Sequence, residues 1–178
     1  MSAHTLSPHP DSICDAITSI DVNVDRSALG LALTYRMTGD IVRLRLPSFQ
    51  VVRRTDQLWQ HTCCELFIAH ADTPDYYEFN FSPSGAWAAY HFSEYRTGMR
   101  SADVRAPEIK TQATATVLEL RVALETQFCV GALGTTQLGL SCVLEEETGR
   151  LSYWALAHAS GKPDFHYRGG FRVKLDDR

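Results

Sequence analysis

The stretch Tyr76-Tyr77-Glu78-Phe79-Asn80-Phe81-Ser82 sorts its side chains onto two surfaces with a period of two, and the same period recurs along most of the chain. A helix scatters such a pattern around its circumference, whereas a strand sends successive side chains to opposite faces. Tyr77, Phe79 and Phe81 therefore read as a core face, with Tyr76, Glu78 and Asn80 opposite them.

Residues 17–25 and 28–37 read as strands in the same way. Gly39-Asp40 predicts a turn into residues 41–47, where Val42, Leu44 and Leu46 alternate with Arg43 and Arg45, a hairpin strand with one wet face. Residues 63–70, 76–82 and 86–92 predict three neighbouring antiparallel strands, the last two joined by Pro83-Ser84-Gly85. In residues 113–124, Leu118, Leu120, Val122 and Leu124 share a face, with Glu119 and Arg121 opposite. Residues 126–134 read as a short helix or an irregular crossover. Strands follow at 137–147 and 150–158, then a loop over 159–170 and a closing strand from Phe171. Many short strands with frequent turns predict an all-β fold, a two-sheet antiparallel β-sandwich of jelly-roll-like type. One domain is expected over residues 13–178, preceded by a loose tail of residues 1–12 that contains Pro8 and Pro10.

The net charge of −4 and the lack of a basic stripe argue against a nucleic-acid partner. No apolar run approaches the roughly 20 residues of a membrane-spanning helix, and the first residues lack the basic and apolar regions of an export signal. The expectation is a cytoplasmic protein with no membrane partner. Five cysteines (Cys14, Cys63, Cys64, Cys129 and Cys142) form no CxxC pair, so they read as buried small side chains rather than a disulfide framework or a zinc site.

Trp59 lies six residues ahead of Glu65. A sugar ring stacks on an aromatic plane while its hydroxyls need a few directed partners, so this pair suits a saccharide. The competing reading has Trp59 capping the sandwich and Glu65 on a wet edge. Glu65 shares a face with Phe67 and Ala69, however, which predicts a partly buried carboxylate in want of a partner. Trp87 reads as core, and Trp154 as either core or a second cleft wall. The loop after residue 158 gathers His158, Asp164 and His166, with Asp164 also suited to an Asx-type turn after Pro163. The histidines form no HxH or HExxH spacing, so no metal ligands are assigned. No GxSxG or phosphate-loop motif appears, and Glu65 with Glu78 is the carboxylate pair from which a glycosidase reading would start.

Residues 58–99 and 151–175 resemble the DOMON-like, carbohydrate-binding-module family 9-like domains of bacterial proteins. The resemblance implies a jelly-roll β-sandwich that binds a small ligand, a sugar in the family 9 modules and haem in some other members. In the sugar-binding modules two tryptophans clamp the saccharide and a glutamate six residues after the first bonds its hydroxyls. Trp59 and Glu65 match in identity and spacing, with Trp154 as the second wall. Leu151 stands where the family places an amide, and Asn80 is the substitute by facing direction.

The leading expectation is thus a non-catalytic domain binding a saccharide or sugar-derived metabolite through Trp59, Glu65, Trp154, Asn80, His158, Asp164 and His166, with no cofactor. Two alternatives stand beside it. One is a haem domain drawing on Met37 or Met99 with a histidine. The other is a protein-interaction module acting through the sheet surface.

Overall fold

The computed structural model describes residues 2–12, 14–27, 30–48, 50–126 and 135–175. The strands are β1 (Ser2–Pro8), β2 (Ile17–Arg26), β3 (Gly30–Gly39), β4 (Arg53–Arg54), β5 (Cys63–His70), β6 (Tyr76–Phe81) and β7 (Ala86–Phe92). They continue with β8 (Arg100–Ser101), β9 (Glu108–Ala113), β10 (Val117–Glu125), β11 (Thr136–Glu145), β12 (Leu151–Ala155) and β13 (Val173–Leu175). Sheet A has the order β1-β2-β3-β10-β9, and sheet B the order β4-β7-β6-β5-β11-β12. β1 belongs to both, because Ser2–Leu6 pair with β2 while Ser7 and Pro8 pair with β12. All pairings are antiparallel except the two-residue contact of β4 with β7. The expected all-β sandwich is what the chain forms.

The two sheets close on one core. Ile20, Val22, Leu33, Tyr35, Met37, Leu118 and Leu120 come from sheet A, and Cys64, Leu66, Ile68, Phe79, Phe81, Leu140 and Cys142 from sheet B. Tyr35 spans the interface, its hydroxyl donating to the backbone oxygen of Glu65 at 2.8 Å. That bond satisfies a phenol which burial would otherwise penalise. The face of sheet A away from the core is wet, as the alternation of β10 predicts. Sheet B is different. All of β5 from Cys63 to Ala69 is buried, so both of its faces are covered. A continuous apolar run is how a strand with two covered faces reads in sequence.

The outer face of sheet B carries a second cluster made of Phe67, Ala69, Tyr76, Ala88, Tyr90, Phe92 and Phe171. Phe171 stacks on Phe67 with ring centroids 5.4 Å apart. Gly139 on β11 makes this possible, since a Cβ there would lie 2.5 Å from the Phe171 ring. The covering segment, residues 156–172, can therefore lie directly on the sheet.

Three expectations are corrected. Residues 2–12, expected in a loose tail, are tied into the fold: β1 pairs with both β2 and β12, Leu6 is buried in the main core and His9 is buried. Pro8 ends the strand, where no ladder donor is needed, and Pro10 lies in the turn beyond it. Nor do residues 41–47 form a hairpin strand. Ile41–Arg43 is a 3₁₀ turn, Val42 is 71% exposed, and Leu44 meets Glu146 through an isolated bridge. β3 already has β2 and β10 as its two neighbours, so no edge is free for a strand that turns back at Gly39. The strand expected over 113–124 is also split, residues 114–116 forming the turn between β9 and β10. Cys14, Cys63, Cys64 and Cys142 are buried free thiols, as expected. Cys129 and the crossover at 127–134 lie outside the described residues.

Leu6→Ala tests the role of β1. Truncating a buried leucine costs about 2–5 kcal/mol, whereas a change in a loose tail stays within about 0.5 kcal/mol. Urea unfolding of this variant is expected to show the larger loss.

Candidate functional site

Alternation along β5 and β6 places Glu65 and Glu78 on the outer face of sheet B, where the strand register sets Glu65 opposite Asn80 and Phe67 opposite Glu78. Both carboxyls line a cavity of about 490 Å³. Its walls include Trp59, Phe92, Tyr153 and Phe165, and Arg96, Met99 and His166 lie at its margin. A volume of this order, with aromatic walls and a few convergent polar groups, is typical of small-molecule sites.

Each wall is held by identifiable contacts. Trp59 rides on the 3₁₀ turn Leu58–Gln60, packs edge-on against Tyr90 at 6.0 Å and keeps 37% of its surface exposed. Tyr90 anchors the approach to that turn by donating its hydroxyl to Asp56 at 2.7 Å. Gln57, just before the turn, and Arg96 are the non-glycine residues with positive φ among those described, at 62° and 54°. Backbone strain of this kind costs of order 1–3 kcal/mol and gathers at functional sites. Here it falls on the two segments that deliver Trp59 and Arg96 to the cavity.

The opposite margin is a hydrogen-bonded network. Asp164 receives the Tyr95 hydroxyl at 2.6 Å and pairs with Arg96 Nη2 at 2.7 Å. Asp164 also accepts the backbone N–H of His166, the Asx-type turn that the sequence suggests. The Arg96 backbone N–H donates to the Tyr76 hydroxyl oxygen, leaving the Tyr76 proton for His166 Nδ1 at 2.7 Å. Nε2 of His166 then carries the ring proton and faces Glu78 at 3.6 Å. Burial, with the Arg96 charge, pushes His166 down to about 4, so the ring is neutral near pH 7.

Glu65 and Glu78 are 2% and 5% exposed. Asn80 donates to Glu78 at 2.7 Å, and the Ser141 hydroxyl donates to Glu65 at 3.3 Å. Burial raises both carboxyls, Glu65 well above its ordinary value, and the proximity of Glu78 raises Glu65 further, against the opposing pull of the Arg96 charge on both.

Of the residues singled out from sequence, Trp59, Glu65 and His166 line one cavity, while Asn80 and Asp164 hold its polar groups in place. Trp154 does not join them. It is 4% exposed in the main core, its indole N–H bonded to Ser152 Oγ at 3.2 Å. Tyr153, one residue earlier and so on the opposite face of β12, takes the wall position. His158 lies elsewhere, bonded to the Ser7 carbonyl at 2.8 Å and packed on His9. Tyr153, Phe165 and Arg96 were missed in the sequence. The signal for Tyr153 is parity along β12, and Phe165 sits between two residues that were singled out. Of the two methionines weighed for haem, Met37 is in the main core and Met99 lines the cavity together with His166, whose Nδ1 is engaged with the Tyr76 hydroxyl.

No protein-family model matches the chain, and no curated protein compared with it matches. Among solved structures, it superposes on one from Bacteroides uniformis ATCC 8492 described as a "putative carbohydrate-binding protein", with a TM-score of 0.65 and 12% identity over 96% of this chain and 84% of that one. A family 9 carbohydrate binding module from Caldicellulosiruptor kristjanssonii, in complex with glucose, aligns over 88% and 76% with a TM-score of 0.42 and 11% identity. The first likeness defines the class: a β-sandwich with the architecture of that Bacteroides protein.

Glu65→Gln tests the raised carboxyls. A glutamate that holds its proton more tightly in the native state contributes stability at low pH, and loses it as pH rises above the ordinary value of about 4.3. His166 works in the other direction, its contribution fading as pH falls from about 6.5 toward 4. The melting-temperature gain of Glu65→Gln over wild type is therefore expected to grow from pH 5 to pH 8. A gain independent of pH would show that Glu65 is ionised throughout.

Proposed function

We propose that the protein is a non-catalytic binding domain for a saccharide or sugar-derived small ligand, held in the cavity on the outer face of sheet B. The observation that carries this reading is the placement of an exposed tryptophan, Trp59, over the same cavity as two buried carboxyls, Glu65 and Glu78. Trp59 and Tyr153 offer apolar faces on which a sugar ring stacks, while Glu65, Glu78 and the His166 N–H offer directed partners for hydroxyls. Asn80 and Asp164 act as positioning residues behind them. The Trp59 and Glu65 spacing shared with family 9 modules supports the assignment, as does the fold shared with the Bacteroides protein. The second aromatic wall in this reading is Tyr153, not Trp154.

A saccharide panel followed by thermal shift tests the proposal, because a ligand that binds only the native state raises the melting temperature. At least one mono- or disaccharide is expected to stabilise the wild type, and Trp59→Ala to weaken its binding tenfold or more, about 1.4 kcal/mol. Trp59 is partly exposed and outside the main core, so the unliganded variant should melt close to wild type. Unchanged affinity in Trp59→Ala would remove the stacking platform and the proposal with it.

A further inference from the structure

We propose that this cavity selects a cationic sugar, a monosaccharide carrying a protonated primary amine, over its neutral counterparts; the inference rests on the saccharide-binding reading above. Its basis is two nearly buried carboxyls that open on the cavity with no lysine or arginine paired to them among the described residues, the Arg96 charge acting on both without a direct bond. Glu65 Oε2 receives the Ser141 hydroxyl at 3.3 Å, and among the described residues no protein donor reaches Oε1. Glu78 has the Asn80 amide at 2.7 Å and the His166 Nε2 at 3.6 Å, both neutral groups near pH 7. Among the described residues lining the cavity, Arg96 carries the one guanidinium. It is committed to Asp164, with Nε at 3.2 Å and Nη2 at 2.7 Å from the same oxygen.

An ammonium completes this arrangement. It brings three N–H donors and one positive charge, and charge-assisted bonds to carboxylates are about twice as strong as neutral ones. The walls suit it as well, since Trp59, Tyr153, Phe92 and Phe165 line the same space and aromatic rings attract cations. A neutral hydroxyl has no such advantage, because it brings no charge to offset the burial that raises both carboxyls. An ammonium favours their ionised form, so its binding is linked to proton release. The groups that titrate or carry charge around the ligand are Glu65 from β5, Glu78 and Tyr76 from β6, and Tyr153 from β12. Arg96 comes from the turn after β7, and Asp164 and His166 from the covering segment.

Calorimetric titration of the full chain at pH 6.5 with glucosamine and galactosamine, their neutral parents, and N-acetylglucosamine tests the inference. The two amino sugars are expected to bind at least tenfold tighter than glucose and galactose, and N-acetylglucosamine no tighter than glucose. The observed enthalpy should shift with the ionisation enthalpy of the buffer, reporting proton release. In Glu65→Gln, and independently in Glu78→Gln, the preference should fall to within threefold. Equal binding of charged and neutral sugars overturns the selectivity and leaves the saccharide reading in place. Binding of none of the five overturns the saccharide reading and this inference together.

Discussion

Strand β11 is the element on which the rest of the molecule depends. It pairs with β5 from Thr136 to Val143 on one side, and with β12 and β13 on the other. Its register decides which residues of β5 face sheet A and which face the cavity, because a slip of one residue in a strand moves every side chain to the other face. Cys64 and Cys142, direct partners in that ladder, come within 3.5 Å of each other in the core. By the same alternation Glu65 and Ser141, the next pair, meet on the outer face. One ladder thus fixes the core and the site.

Covering the outer face of sheet B has an energetic consequence. The segment over residues 156–172 buries an aromatic cluster built on Phe67, Tyr76 and Phe171, and the same cover takes two carboxyls out of bulk water. Buried carboxyls are costly unless protonated or paired, and here they are served by one amide, one hydroxyl and one neutral imidazole. The cavity beside them is where a ligand can supply what the protein does not. Stability gained from the aromatic cover is in this sense partly offset at the site, a trade expected of a binding surface.

Sequence reasoning succeeded or failed residue by residue for physical reasons. The strands 63–70 and 86–92 were legible to the residue, because apolar runs bounded by turn chemistry leave little freedom at their ends. Residues 41–47 alternate as convincingly as any strand, yet they form a 3₁₀ turn and an extended segment, since the edge they would need is already taken by β10. The N-terminal residues look like a tail because strand β1 is mostly exposed, and only its pairing with two different sheets makes it structural. Trp59 and Glu65, singled out by their spacing, line one cavity. Trp154, read as either core or a cleft wall, lies in the core, and Tyr153 on the opposite face of β12 lines the cavity.

The sequence by itself determined the fold class and most strand positions, because these follow from local period and composition, and the spacing of Trp59 and Glu65 marked them as candidates. Only the tertiary structure decided that Glu78, Tyr153, Phe165 and Arg96 meet Trp59 and Glu65 around one cavity. Those residues are brought together by strand register and by a covering segment far along the chain, and neither leaves a mark within the short windows over which sequence periodicity can be read.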